Sequence, residues 1–175
     1  DEPFLKQFNV ASVEGLRERA RTELTEDAET REQQRLKDEI AKQLLAKTNF
    51  DLPQSIVEQE TRLTARNMVQ RIAMQGATRD QIMENRQSIL EAATRTSTES
   101  VKLSYILSRI ADGEGIQVAE EELDERLKSM AQRHSMPEER LRSELEKQNG
   151  IEGVRSEIRA EKTLDFLMEN VKIKK

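Results

Sequence analysis

Asn49-Phe50-Asp51-Leu52-Pro53-Gln54-Ser55-Ile56-Val57 is the stretch on which the fold turns. Pro53 has no backbone N–H and disfavours helix at Leu52, so no helix runs through it. Proline suits the first turn of a helix, so the same residue opens the next one. Upstream, Ser12 can accept an orphan backbone N–H and start a helix over about 13–47. Leu16, Ala20, Leu24 and Ala28 form one stripe on it; Leu36, Ile40 and Leu44, with Ala41 and Leu45, form a second. The stretch between these stripes, TEDAETREQQR, faces solvent on most sides. Ahead of Ser12, Phe4, Leu5 and Phe8 suggest a short helical turn.

Downstream, Ile56, Val57, Leu63, Met68, Val69 and Ile72 carry a helix to about Gln75. Gly76-Ala77-Thr78 ends it. Thr78 and Gln81 then form a capping box for a long helix over about 79–111. Within that helix TRTSTES, at 94–100, is polar and poor for helix, so a bend or exposed turn is expected there. Gly113-Glu114-Gly115 punctuates the chain. Helix resumes near Ala119, with Leu123, Leu127 and Met130 on one side and acids in its first turn. Ser135-Met136-Pro137-Glu138 reads as a Ser cap followed by an early Pro, and the helix it opens carries Leu141 and Leu145 as far as Asn149-Gly150. A last helix covers about 151–170, followed by the alternation Val171-Lys172-Ile173-Lys174. The sum is an all-α chain of six or seven helices joined by short loops, with successive helices antiparallel.

Composition agrees. Of 175 residues, 36% are charged and 35% hydrophobic, and Leu, Ile, Val and Phe make up about a quarter of the chain. A compact globule of this size holds more apolar material, so an elongated body with a thin core is expected. Both signs of charge are interspersed at a net charge of −5, and no basic stripe stands out, which argues against nucleic acid. There is no Cys and no apolar run long enough to span a membrane. No signal peptide is visible, but the start at Asp1-Glu2-Pro3, without Met, leads to the expectation of a cut piece, for which that absence says little.

No chemistry-bearing constellation emerges. His134 is the only histidine, lacks an HExxH context, and lies at a helix break where capping or exposure accounts for it. Acidic pairs such as Glu120-Glu121-Glu122 are expected in a chain so rich in charge. Gly113-Glu114-Gly115 lacks the strand and third glycine of a dinucleotide loop. Catalytic, cofactor and metal residues are therefore expected to be none. What remains is surface. Met68, Met74, Met83, Met130, Met136 and Met168 either pack in ordinary helix interfaces or form adaptable apolar patches.

At this point the sequence resembles the C-terminal, substrate-binding domain of bacterial trigger factor. The resemblance is carried by Phe4-Leu5-Lys6-Gln7-Phe8, by Ser12-Val13-Glu14-Gly15-Leu16-Arg17, and by Asp51-Leu52-Pro53 with Ile56-Val57-Glu58-Gln59-Glu60. It continues through Ile116 with Glu121-Glu122-Leu123, then Glu161-Lys162 with Leu164-Asp165-Phe166-Leu167, and Val171-Lys172-Ile173. One departure is visible: Val118-Ala119 stands where the family often has a Thr or Asp cap, which should loosen that helix start.

The resemblance implies a single helical chaperone domain over 1–175. It comprises a lead-in and long linker helix (1–48), arm one (49–113), arm two (114–162), and the end of the final helix with a tail (163–175). It further implies a cytoplasmic, ATP-independent chaperone that cradles unfolded or nascent polypeptides between the arms. In the family this domain accompanies ribosome-binding and prolyl isomerase domains, neither of which is matched here. Self-association is open. SurA-type periplasmic chaperones share the helical architecture and are the nearest rival. From a different class, the alternative is a helical scaffold with one defined partner. Client contacts are expected where the arms face each other: Met68, Ile72, Ile82 and Ile89 on arm one, and Leu127, Met130, Leu141 and Leu145 on arm two. Spacings of three and four put Met68 with Ile72, Leu127 with Met130, and Leu141 with Leu145. The competing reading is that these stripes are simply the core.

Overall fold

A computed structural model describes residues 12–170, in which there are seven helices and no strand. The expected turn at Phe4–Phe8 and the alternation at 171–174 lie outside the described residues. Packing divides the chain into two units, 1–40 and 41–175, with the boundary inside the first helix, α1 (Val13–Lys47).

In the first unit, Ser12 Oγ accepts the Gly15 N–H at 3.0 Å, the cap its position requires. No residue of α1 is buried. Side-chain pairs one turn apart support it: Arg19 with Glu23, Glu32 with Arg35, and Gln34 with Asp38, each at 2.8 Å. Such pairs contribute about 0.2–0.5 kcal/mol each, which suits a helix face that buries nothing.

In the second unit α1 ends as expected before Pro53, which takes the N-cap position of α2 (Gln54–Met74). The short α3 (Arg79–Glu84) leads into α4 (Arg86–Gly113). The Thr78–Gln81 capping box is present in both directions, at 2.9 and 3.3 Å. Helices α2 and α4 share the most extensive packing in the chain. Thr64 pairs with Ser97, and Thr48, just ahead of α2, with Lys102, so numbers fall on one side as they rise on the other and the pair is antiparallel.

The polar segment 94–100 is neither bent nor exposed as a turn; it lies inside α4, and the break falls at Asn85 instead. Ser97 is fully buried and donates to Thr64 Oγ1 at 3.0 Å, beside the fully buried Ala93. Thr94 and Thr98 return their hydroxyls to the carbonyls of Leu90 and Thr94, both at 2.8 Å. Small side chains whose hydroxyls are satisfied let two helices approach closely, and this tertiary gain outweighs their modest helix propensity. At Asn85 the side-chain amide bonds to the Gln81 carbonyl at 2.8 Å and competes with the helix ladder.

Beyond α4, helices α5 (Glu120–Arg133), α6 (Glu138–Lys147) and α7 (Ile151–Asn170) pack together, and α7 also packs on α4. Their core is Leu123, Leu127, Val154 and Ile158, with Val118, Met130, Leu145 and Ile151 against it. Ala119 has no side-chain acceptor for a cap. The Glu122 carboxylate instead accepts the Ala119 N–H at 2.8 Å and a Lys162 ammonium bond at 2.7 Å, and Lys162 also donates to the Gln117 carbonyl. The departure at Val118-Ala119 is thus offset from across the bundle.

Four helices end alike, with an N–H reaching back five residues past a left-handed one. The bonds are Ala77 to Ile72, Ile116 to Ala111, Met136 to Ala131 and Gly150 to Leu145. Gly76 and Gly115 take that conformation in two of them, but Ser135 (φ 51°) and Asn149 (φ 53°) take it in the others. Ser135 therefore ends α5 and does not cap α6; Pro137 occupies the N-cap of α6 with no side-chain bond. Ser135→Gly should stabilise the chain by about 1 kcal/mol, the left-handed cost of an L-residue less the extra unfolded-state entropy of glycine. Urea unfolding checks this; no gain would mean Ser135 is held by contacts beyond its backbone.

Candidate functional site

An apolar hollow lies where the end of α1 meets the second half of α4. Ile106 and Ile110, four apart on α4, line it with Leu44, Phe50 and Tyr105. It is an open cleft of about 630 Å³ with a polar rim of Thr48, Ser108, Arg109 and Asp112. The Phe50 and Tyr105 rings meet edge to face, centroids 6.4 Å apart, and are 40% and 42% exposed. These are large apolar groups the fold leaves in water.

Lys102 fixes the cleft. Its ammonium donates to the Leu45 and Thr48 carbonyls at 3.1 and 2.6 Å and lies 5.9 Å from the Phe50 ring centre. The last carbonyls of a helix lack partners and carry partial negative charge, so a cation there completes α1. The aromatic pair thus stands on a firm base.

The expected contact residues divide. Leu127 is fully buried and Leu141 is 7% exposed, so neither can be offered to a partner; both are core. The reason is that α5, α6 and α7 form a three-sided bundle that consumes their apolar stripes. Met130 and Leu145 are half-buried against that core. Met68 and Ile72 on α2, Ile82 on α3 and Ile89 on α4 are also half-buried. Besides Tyr105, the widely exposed apolar residues of α2 to α4 are different ones: Met74 (78%), Met83 (59%), Leu63 (48%), Leu90 (45%) and Ile56 (41%). Met74 and Met83 flank the loop at 75–78.

Charge clasps the same, C-terminal end of α4. From α7, Arg155 pairs with Glu120, Arg159 with Asp112 and the Ile116 carbonyl, and Lys162 with Glu122. Arg126 pairs with Glu161, and Arg142 with Asp124. The Lys162 hydrogen bond, followed by that from the Ala119 N–H, holds Glu122 below the ordinary carboxylate range. A depressed carboxylate contributes stability above its unfolded pKa, and that contribution is lost as pH falls through the folded value. Acidification below the ordinary carboxylate range should therefore destabilise the wild type more than Lys162→Met. Unfolding midpoints over an acid pH series test this, and parallel profiles would contradict it.

No group of acidic or histidine side chains able to hold a metal occurs among the described residues, and no described helix is long and apolar enough to cross a membrane. Helices throughout, satisfied buried polar groups and an aromatic-edged cleft left in water define an all-helical domain with an open apolar cleft among the described residues. The family described as the bacterial trigger factor protein C-terminus matches residues 12–169, and the chain belongs to it. Trigger factor from Syntrophomonas wolfei is 28% identical over 174 residues, which is 97% of this chain and 39% of that protein. Trigger factor from a Geobacillus species is 27% identical, covering 99% of this chain and 41% of its own length. The chain thus spans about two fifths of the length of these curated relatives. A solved structure of trigger factor domains from Thermotoga maritima matches with a TM-score of 0.57 at 18% identity, over 80% of this chain and 83% of that one, and supports the fold.

Proposed function

We propose that this chain holds unfolded or nascent polypeptides by weak apolar contacts, without ATP, and so limits their aggregation. The observation that carries this reading is the open cleft edged by Phe50 and Tyr105. Apolar surface removed from water is worth about 25 cal/mol per Å², so several shallow contacts suffice for reversible binding without a specific lock. Half-exposed aromatics supply much area at little entropic cost. The contact set comprises the cleft, the exposed Met74 and Met83, and the open parts of Met68, Ile72, Ile82, Ile89, Met130 and Leu145. Arm one is residues 49–113 and arm two 114–162, in a cytoplasmic protein that reaches the ribosome through a region other than this one.

A panel of unrelated unfolded proteins, each followed by light scattering with the chain in several-fold excess, tests the proposal. Suppression across the panel is expected; a single responsive protein would favour a scaffold with one partner, and none would overturn the reading. Prolyl isomerisation is not expected of this chain, because the trigger factor C-terminal family accounts for residues 12–169. Acceleration of isomerisation in a proline peptide would contradict that.

A further inference from the structure

The cleft between the end of α1 and α4 is lined mainly by apolar groups, yet its two charged side chains are in different states. Asp112 is engaged, accepting from Arg159 at 2.8 Å. Arg109 is exposed and pairs with no carboxylate among the described residues. The nearby Lys102 is already committed to the Leu45 and Thr48 carbonyls. Asp51 follows Phe50 in sequence but does not line the cleft. The lining therefore offers solvent one uncompensated guanidinium.

Tyr105 stands four residues before Arg109, on the same side of α4. Its hydroxyl also has no partner among the described residues. Two donors one turn apart thus accompany the aliphatic surface of Leu44, Ile106 and Ile110. The cleft volume, about 630 Å³, lies within the range of about 300–1,000 Å³ usual for small-molecule sites. Such sites have the same make-up, an apolar lining with a few polar groups that fix orientation.

We propose that this cleft is a binding site for a small amphipathic anion, a medium-chain carboxylate. Its head would meet Arg109 and Tyr105, and its tail Leu44, Ile106 and Ile110. The occupant follows from charge complementarity: a carboxylate can accept two parallel bonds from a guanidinium, while the acid that would greet a cationic head is already paired. An anionic membrane surface shares the head-group chemistry, but it is held by clusters of basic side chains, and here a single arginine is free. The inference does not depend on the polypeptide-holding reading, which concerns a different ligand of the same surface.

Tyr105 is the only tyrosine of a chain without tryptophan, so intrinsic tyrosine emission reports on the cleft directly. The chain is titrated with octanoate, decanoate and decyltrimethylammonium, each below the concentration at which it forms micelles, and with phosphatidylglycerol vesicles. Helical content is followed in parallel. Decanoate is expected to bind saturably and about five- to tenfold more tightly than octanoate, the effect of two further methylenes partly removed from water. It should also bind about fivefold more tightly than the cationic amphiphile at low salt. Arg109→Gln should erase that head-group preference, as should high salt. Arg95→Gln, at an exposed arginine of α4 outside the cleft, should preserve it. No response to decanoate, a response without saturation or with loss of helix, or equal binding of both head groups would overturn the inference. So would a preference that survives Arg109→Gln, or Arg109-dependent vesicle binding without binding of free decanoate. None of these outcomes bears on protection of an unfolded reporter, which is measured without amphiphile, so the polypeptide-holding reading stands or falls separately.

Discussion

Leu127→Ala should lower the unfolding free energy by about 3–5 kcal/mol. Leu127 is fully buried between Leu123, Val154 and Ile158, in a core to which α5, α6 and α7 all contribute. Truncation removes its transfer free energy and leaves a cavity that helices held by cross-bundle ion pairs cannot readily close. A thin core has few other residues to spread the loss over. Leu63→Ser, by contrast, should move stability by no more than about 0.5 kcal/mol, because that side chain already meets water. Urea unfolding of the two variants decides it: a similar loss in both would mean that α2 packs its outer face, contrary to the structure.

Phe50→Ser with Tyr105→Ser should reduce protection of an unfolded reporter several-fold while the chain stays folded. The two rings are the most prominent apolar groups of the cleft and are already about two fifths exposed. Removing them forfeits their edge-to-face contact, about 0.5–1.5 kcal/mol, and the weak interaction of Lys102 with the Phe50 ring. Lys102 keeps its two carbonyl bonds, so the end of α1 stays capped. The stability cost is therefore modest, and the lost protection reports lost contact area.

Helix type and most helix ends were legible because their signals are local. Ser12, Pro53, Thr78 with Gln81, and Asn149-Gly150 each act through their own backbone neighbourhood, and each stands at a helix end in the structure. Residues 94–100 misled because their low propensity is a local fact, while the close approach of Ser97 to Thr64 is a tertiary one. Ser135 misled because Ser serves either end of a helix, and only its left-handed φ decides which.

The candidate site was less legible, for a reason that generalises. Apolar residues in step with a stripe, such as Leu127 and Leu141, are the ones folding consumes. Those available for binding fall out of step: Met74 lies off the Met68–Ile72 line and is 78% exposed. Phe50 sat in the helix break, and Tyr105 on α4 far from it in sequence. Their scarcity was the usable signal, since the chain has four Phe and one Tyr, and two of these five rings meet at one cleft.

The central claim is that the half-exposed rings of Phe50 and Tyr105 serve binding more than stability, whereas fully buried residues such as Leu127 serve stability alone. The most direct measurement is the concentration of chain that halves aggregation of a chemically unfolded reporter, compared between the wild type and Phe50→Ser/Tyr105→Ser at matched helical content. The account predicts protection by the wild type and a several-fold higher requirement for the variant. Equal protection by both, or none by the wild type, would contradict it.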